Sequence, residues 1–238
     1  MIRTIISYIM LIMLWCGVAL SNDIYIEQVG DSLDLDITQD GTDNRIGSTS
    51  ADMVLNGDTM TFAITQTGNT NTIDATIKGT TYTGTWQFTG NSNTVDLLCS
   101  SVSTGNCDTV TLNITTTGDD NTFDFDIGQT TDASSSTVSF TITGDNNVTT
   151  STIDGQSAAV TVTIDNSASL STNSANADEG VTTTIDVDGN GDVNGHTILV
   201  DITGGGGTLD ITQSGVNDNK VDLEVSGDDF DIDIIQRD

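Results

Sequence analysis

One set of alternate residues in this chain is apolar, and glycine interrupts it at a fixed step. In MTFAITQTGNTNTIDATI (60–77), Phe62, Ile64 and Gln66 precede Gly68, and Asn71, Ile73, Ala75 and Ile77 follow it. Between them lie Ala63, Thr65, Thr72, Asp74 and Thr76. Glycine recurs every 11 residues from Gly57 through Gly68 and Gly79 to Gly90, and the same step joins Gly30 to Gly41 and Gly144 to Gly155. A period of two marks a strand with one buried face. Comparable segments run through Leu33, Leu35 and Ile37; Phe123, Phe125 and Ile127; Val160, Val162 and Ile164; and Val221, Leu223 and Val225. Gly, Asn and Asp bound them and supply turn conformations. A strand, a turn and a second strand make a rung of about 22 residues, built of 11-residue half-repeats. Such a unit cannot bury its inner face alone. The expected fold is all-β, a β-solenoid of stacked strand–turn–strand rungs.

The apolar set carries amides beside the turns. A G-x-x-N turn occurs at Gly41/Asn44, Gly68/Asn71, Gly90/Asn93, Gly118/Asn121 and Gly144/Asn147. Gln precedes the glycine by two residues at Gln28, Gln39, Gln66 and Gln213; at Gly215 the turn is one residue longer and Asn219 takes the Asn position. A lone buried amide costs about 1–3 kcal/mol. Stacked at ~4.8 Å, amides donate to one neighbour and accept from the other. A ladder therefore satisfies itself and holds the register, because a slipped rung strands its amides.

The segments ITQDGTDN (37–44), ITQTGNTN (64–71) and ITQSGVNDN (211–219) resemble the curlin repeat, with its inward Gln, glycine turn, inward Asn and second inward Gln. The leading Ser of that motif is Leu33 or Met60 here, the second Gln is Ile77 or Ile127, and Phe88, Thr116 and Ile142 fill the first Gln position in the middle rungs. The resemblance implies a structural subunit or minor component of extracellular curli-like amyloid fibres, serving adhesion and biofilm. It also implies a bacterial outer-membrane export channel, a secreted or cell-surface location, end-to-end self-association, and a related curlin-type subunit or nucleator as partner.

Residues 1–21 read as a secretory signal peptide: Arg3, an apolar run from Ile5 to Leu14, and a small-x-small site at Ala19-Leu20-Ser21. An uncleaved anchor or a lipoprotein signal at Cys16 are the alternatives. Residues 22–238 read as the solenoid, with insertions near 47–57, 99–107, 129–137 and 165–184. Export places Cys99 and Cys107 in an oxidising compartment, where they are candidates for a disulfide pinning an insertion; two free thiols are the alternative.

The chain has 35 acidic and 5 basic residues, a formal charge of −30. That excludes a nucleic-acid partner, since phosphate binding requires Lys and Arg. With a single histidine, His196, read as a turn or strand-edge residue, no catalytic constellation can be assembled, and the chain is expected not to be an enzyme. DVDGNGDVNG (186–195) sets Asp186, Asp188, Asn190 and Asp192 like the front of a calcium loop, but Thr197 stands where the bidentate Glu belongs. The alternative is a plain acidic turn; no cofactor is required, and calcium is the possible ligand. Outward Asp residues would repel one another up a stack, so salt, calcium or acid should favour assembly. A different function class is a monomeric secreted β-solenoid adhesin or Thr-rich ice-binding protein, from Thr rows such as TVTLNITTTG and AVTVTID, which Asp interrupts.

Overall fold

A computed structural model describes residues 23–47, 52–99, 109–118, 120–128, 135–144, 148–154, 158–165, 181–188, 196–203, 207–214, 219–226 and 230–237. The signal-peptide reading of 1–21 lies outside these residues. In chain order the strands are β1 (Asp23–Ile24), β2 (Glu27–Val29), β3 (Asp34–Asp40), β4 (Arg45–Ile46), β5 (Met53–Asn56), β6 (Met60–Thr67), β7 (Thr72–Lys78), β8 (Thr81–Thr89), β9 (Thr94–Cys99) and β10 (Thr109–Thr117). They continue as β11 (Thr122–Ile127), β12 (Ser135–Thr143), β13 (Val148–Asp154), β14 (Ala158–Asp165), β15 (Val181–Asp188), β16 (Thr197–Thr203), β17 (Gly207–Ser214), β18 (Lys220–Ser226) and β19 (Phe230–Arg237). No helix occurs among the described residues.

Successive strands alternate between two sheets. The long sheet stacks β1 with β2, β4 with β5, then β7, β9, β11, β13, β15, β17 and β19; the short sheet stacks β3, β6, β8, β10, β12, β14, β16 and β18. Every pairing is parallel. The fold is thus a β-solenoid. Its turn is longer than the glycine step suggests, about 26 residues on average. Thr61 pairs with Thr83, a bare step of 22, whereas Asp34 pairs with Thr61 and Ala159 with Thr197, steps of 27 and 38. The extra residues sit between strands, where they leave the ladder register intact.

Those insertions are narrower than expected. Met53–Asn56 pairs as a strand with Ala75–Lys78, so the first one falls between Ile46 and Met53. Ser135–Thr137 belongs to β12, and Val181–Thr184 to β15. Asp165 ends β14, while residues 129–134 and 166–180 of those two insertions, and residues 100–107 of the second, lie outside the described residues.

The inward residues form one continuous core between the sheets. Phe62 meets Trp86 edge-on with ring centroids 6.2 Å apart, and Phe125 lies 5.0 Å from Phe140. A fully buried side chain of this kind contributes about 1.5–3 kcal/mol. Several inward positions carry a buried hydroxyl with no hydrogen bond, among them Thr116, Thr149 and Ser151, and Thr116 is fully buried. Thr116→Val removes that hydroxyl at nearly constant shape. It is expected to stabilise the fold by about 1–2 kcal/mol, read as a higher urea midpoint at unchanged slope.

Candidate functional site

The corners of the solenoid are built by a backbone rule. Gly41, Gly68, Gly90, Gly118 and Gly144 have φ of 147°, 140°, 131°, 137° and 129°. Two residues beyond the first four, Asp43, Thr70, Ser92 and Asp120 are left-handed, with φ of 56°, 60°, 59° and 56°. The next residue is the inward Asn. Corresponding glycines stack: a Cβ on Gly68, Gly90 or Gly118 would fall 1.4, 1.8 or 2.2 Å from the carbonyl oxygen of the glycine one level down. The opposite corner repeats the device, with left-handed Ser32 and Thr59 preceding inward Leu33 and Met60. Gly57 there stacks on Gly30, and Gly79 on Gly57. Successive 11-residue half-repeats therefore mark alternate corners. Gly215 lies outside the described residues.

The amides form the expected ladders on the first of these corners. Asn44 Nδ2 donates to Asn71 Oδ1 at 2.8 Å, Asn71 Nδ2 to Asn93 Oδ1 at 2.6 Å, and Asn93 Nδ2 to Asn121 Oδ1 at 2.7 Å. Each of the upper three also donates to its own turn glycine: Asn71 to Gly68 O at 2.8 Å, Asn93 to Gly90 O at 2.5 Å and Asn121 to Gly118 O at 2.6 Å. Gln66 Nε2 donates to Gln39 Oε1 at 2.7 Å. This Gln column then becomes Phe88, Thr116 and Ile142, so Gln66 Oε1 finds no donor above it. Asn147 lies outside the described residues.

Gln213 and Asn219 are placed differently from the motif comparison. Gln213 sits in the long sheet, whereas Gln39 and Gln66 sit in the short one. ITQSGVNDN therefore leads into the opposite corner. Gln213 shares its column with Gln28, through Leu55, Ile77, Cys99, Ile127, Ile153 and Val187. Amides occupy only the two ends of that column. Gln28 Nε2 donates to Gly30 O at 2.7 Å, and Gln213 Oε1 accepts from Gln236 Nε2 at 2.9 Å. Gln236 is a ladder member missed in the sequence, although it stands two residues after Ile234 in the alternating set.

His196 is a second one missed. It stands immediately before β16, consistent with a turn or strand-edge position, and is fully buried there. Its Nδ1 accepts from Ala158 N–H at 3.0 Å, and its own N–H donates to Asn219 Oδ1 at 3.2 Å. It fills in the short sheet the corner position that Asn fills in the long one, where Asn121 Oδ1 likewise accepts from Asn93 N–H at 3.0 Å.

Cys99 is buried and disulfide-bonded; Cys107 lies outside the described residues. Asp186 and Asp188 stand in β15, paired with Thr152 and Asp154 on one side and Thr212 and Ser214 on the other. Both are strand residues. Asn190 and Asp192 lie outside the described residues, and among the described residues no cluster of three metal-ligating groups occurs.

Charge is spread unevenly over the two outer faces. On the long sheet Asp74, Asp96 and Asp124 are in register. Partial burial raises the Asp96 pKa above the carboxylate range, and the charges of Asp124, Asp74, Asp52 and Asp126 add to it. Burial and Asp124 raise Asp126, against a hydrogen bond from Thr152. Arg45 answers the column at one point, 2.7 Å from Asp74. Carboxyls with raised folded-state values hold more protons folded than unfolded. Their effect is a stability that falls as pH rises from the unfolded value, about 3.9, through the raised folded value, and is level above it. The urea midpoint is expected to rise on acidification from pH 7 towards pH 4, and Asp96→Asn to raise it at pH 7 while flattening that slope.

The outer face of the short sheet is uncharged over four consecutive levels. They read Thr61-Ala63-Thr65-Thr67, Thr83-Thr85-Gln87-Thr89, Thr111-Asn113-Thr115-Thr117 and Thr137-Ser139-Thr141-Thr143, all in register. Acidic residues enter this face on either side of those levels, at Asp34, Asp36 and Asp40 of β3 and at Asp201, Asp222 and Glu224 of β16 and β18.

These features define a β-solenoid with amide-laddered corners, an acidic long-sheet face and a short-sheet face whose middle levels are uncharged and rich in threonine. A comparison with protein-family models, with curated proteins and with solved structures finds no match for this chain.

Proposed function

We propose that this chain is a structural subunit of extracellular curli-like fibres, or a minor component of them, acting in adhesion and biofilm matrix. The observation that carries this reading is the last level of the stack. Among the described residues β18 and β19 each pair on one edge only. Their core-facing side chains Val221, Leu223, Val225 and Phe230 are only partly buried, and Ile232 and Ile234 are 38% and 40% exposed. An open strand edge with an apolar inner row templates another strand. The ladders then supply register at each addition. Export through an outer-membrane channel, with a curlin-type nucleator as a further partner, belongs to the same reading.

The test uses residues 22–238 diluted from denaturant, with and without calcium and at neutral and acid pH. Thioflavin T growth, filaments by electron microscopy and a ~4.7 Å meridional reflection are expected, with assembly faster in calcium or acid. A soluble β-rich monomer under all conditions rejects the reading.

The neutral threonine face favours a second reading, a monomeric adhesin or ice-binding protein. In-register Thr rows repeat at ~4.8 Å along the sheet, a spacing suited to a periodic crystalline surface. Thermal hysteresis lost on Thr115→Tyr would identify it.

A further inference from the structure

The two sheets do not contain the same number of levels, and this bears on how one subunit meets the next. Among the described residues the long sheet has nine levels, from β1 with β2 to β19, and the short sheet has eight, from β3 to β18. The first and last strands therefore both belong to the long sheet. If whole subunits simply stacked, β19 would lie on the next subunit's β1–β2, while β18 and the next β3 would be separated by the width of a missing strand. Two rows of backbone N–H and C=O groups would face that gap unpaired, against the demand that such groups be satisfied.

The terminal strands also resemble each other in sequence. Asp23-Ile24-Tyr25-Ile26-Glu27-Gln28 and Asp231-Ile232-Asp233-Ile234-Ile235-Gln236 share Asp, Ile, Ile and Gln at matching positions. They occupy the same columns of the long sheet, Ile24 below Ile46 and Gln28 below Leu55 at one end, Ile232 above Leu209 and Gln236 above Gln213 at the other. The first strand is the weaker holder of its place. It is broken into pieces of two and three residues, against eight for β19. Tyr25 is 54% and Val29 75% exposed.

We propose that subunits join by strand exchange, β19 of one subunit displacing β1–β2 of the next and pairing with its β4 and β5. This deepens the fibre reading and rests on it. After exchange, Asp231 stands beside Arg45 of the next subunit, Ile232 on Ile46 and Gln236 on Leu55, each replacing a residue of its own type. The short sheet closes at the same time, because β18 then stacks directly on the next β3. Val221 and Leu223 meet Leu35 and Ile37, and Lys220 comes over Asp34. Asp222 meets Asp36, a like-charge contact that salt weakens. Each subunit then adds eight levels to both sheets, an axial repeat of about 38 Å, whereas simple stacking adds nine, about 43 Å.

Cysteine pairs separate the two junctions in the full mature chain. Neighbouring strands lie ~4.8 Å apart, within the Cα separation a disulfide spans. Within one subunit Ile235 is at the opposite end of the stack from both Val54 and Glu27. Fibres of Val54→Cys with Ile235→Cys, oxidised after assembly, are expected to run as covalent multimers on a non-reducing gel, and fibres of Glu27→Cys with Ile235→Cys as monomers. Fibres of a chain lacking residues 22–29 are expected to form with a shorter lag, since nothing need be displaced. Wild-type fibres with the reverse cross-linking pattern, with neither cross-link, or with the nine-level repeat overturn strand exchange alone. Failure of the wild-type chain to form any filament overturns the fibre reading itself, and the exchange with it.

Discussion

Gly68→Ala is expected to destroy the corner it occupies, at a cost of 4 kcal/mol or more, roughly the range in which single substitutions become exceptional. Two independent penalties combine. At φ 140° the backbone lies where an L side chain is strained, about 1–3 kcal/mol. The added Cβ would also lie 1.4 Å from Gly41 O, a backbone atom held by the ladder below. Relief requires the two levels to separate, and Gly41 N–H would then lose Thr67 O, now 2.9 Å away. The chain should open locally between β6 and β7, with loss of amide exchange protection from Thr67 to Thr72 and a lowered far-UV β signal. A variant that melts with the wild-type protein would mean that the corner columns are not held by backbone contact.

The second large effect is at the centre of the asparagine ladder. Asn93 donates to Asn121 and Gly90, accepts from Asn71, and is fully buried. Asn93→Ala deletes three hydrogen bonds of about 1–1.5 kcal/mol each and strands buried partners, so a total near 4 kcal/mol is expected. Gln66→Ala, in the short Gln column, removes the one bond from Nε2 to Gln39 Oε1 at 2.7 Å, and its Oε1 has no donor to lose. About 1 kcal/mol is expected there. Urea titration of the pair measures the contrast. Equal losses would show that the amides act singly rather than as a ladder.

The contrast between these two sites also shows what was readable beforehand. The in/out assignment of Phe62, Ile64, Gln66, Asn71 and Ile73 follows from a period of two, a local geometric property of any extended strand. The glycine step and the Asn that follows each turn are local as well, since G-x-x-N encodes its own backbone path. The stacking of Gln39 under Gln66 and the run Asn44–Asn71–Asn93–Asn121 follow from repetition of those local rules. Positions with no repeat partner were opaque. His196 belongs to no G-x-x-N turn, and only the register of β14, β16 and β18 puts it between Ala158 and Asn219.

The sequence by itself determined the solenoid, the inner and outer faces of its strands and the Gly and Asn of its G-x-x-N corners, because these depend on neighbours one to four positions away. Tertiary structure alone decided which sheet each strand joins. Insertions of unequal length separate the half-repeats, so counting along the chain cannot say which corner ITQSGVNDN turns, nor that it is opposite to that of ITQTGNTN. The same assignment brought the uncharged threonine rows of β6, β8, β10 and β12 into register on one face, and left nine levels against eight among the described residues. Parallel pairing tolerates bulges between strands but fixes register within them, and that register, summed over the stack, is a property only the folded chain possesses.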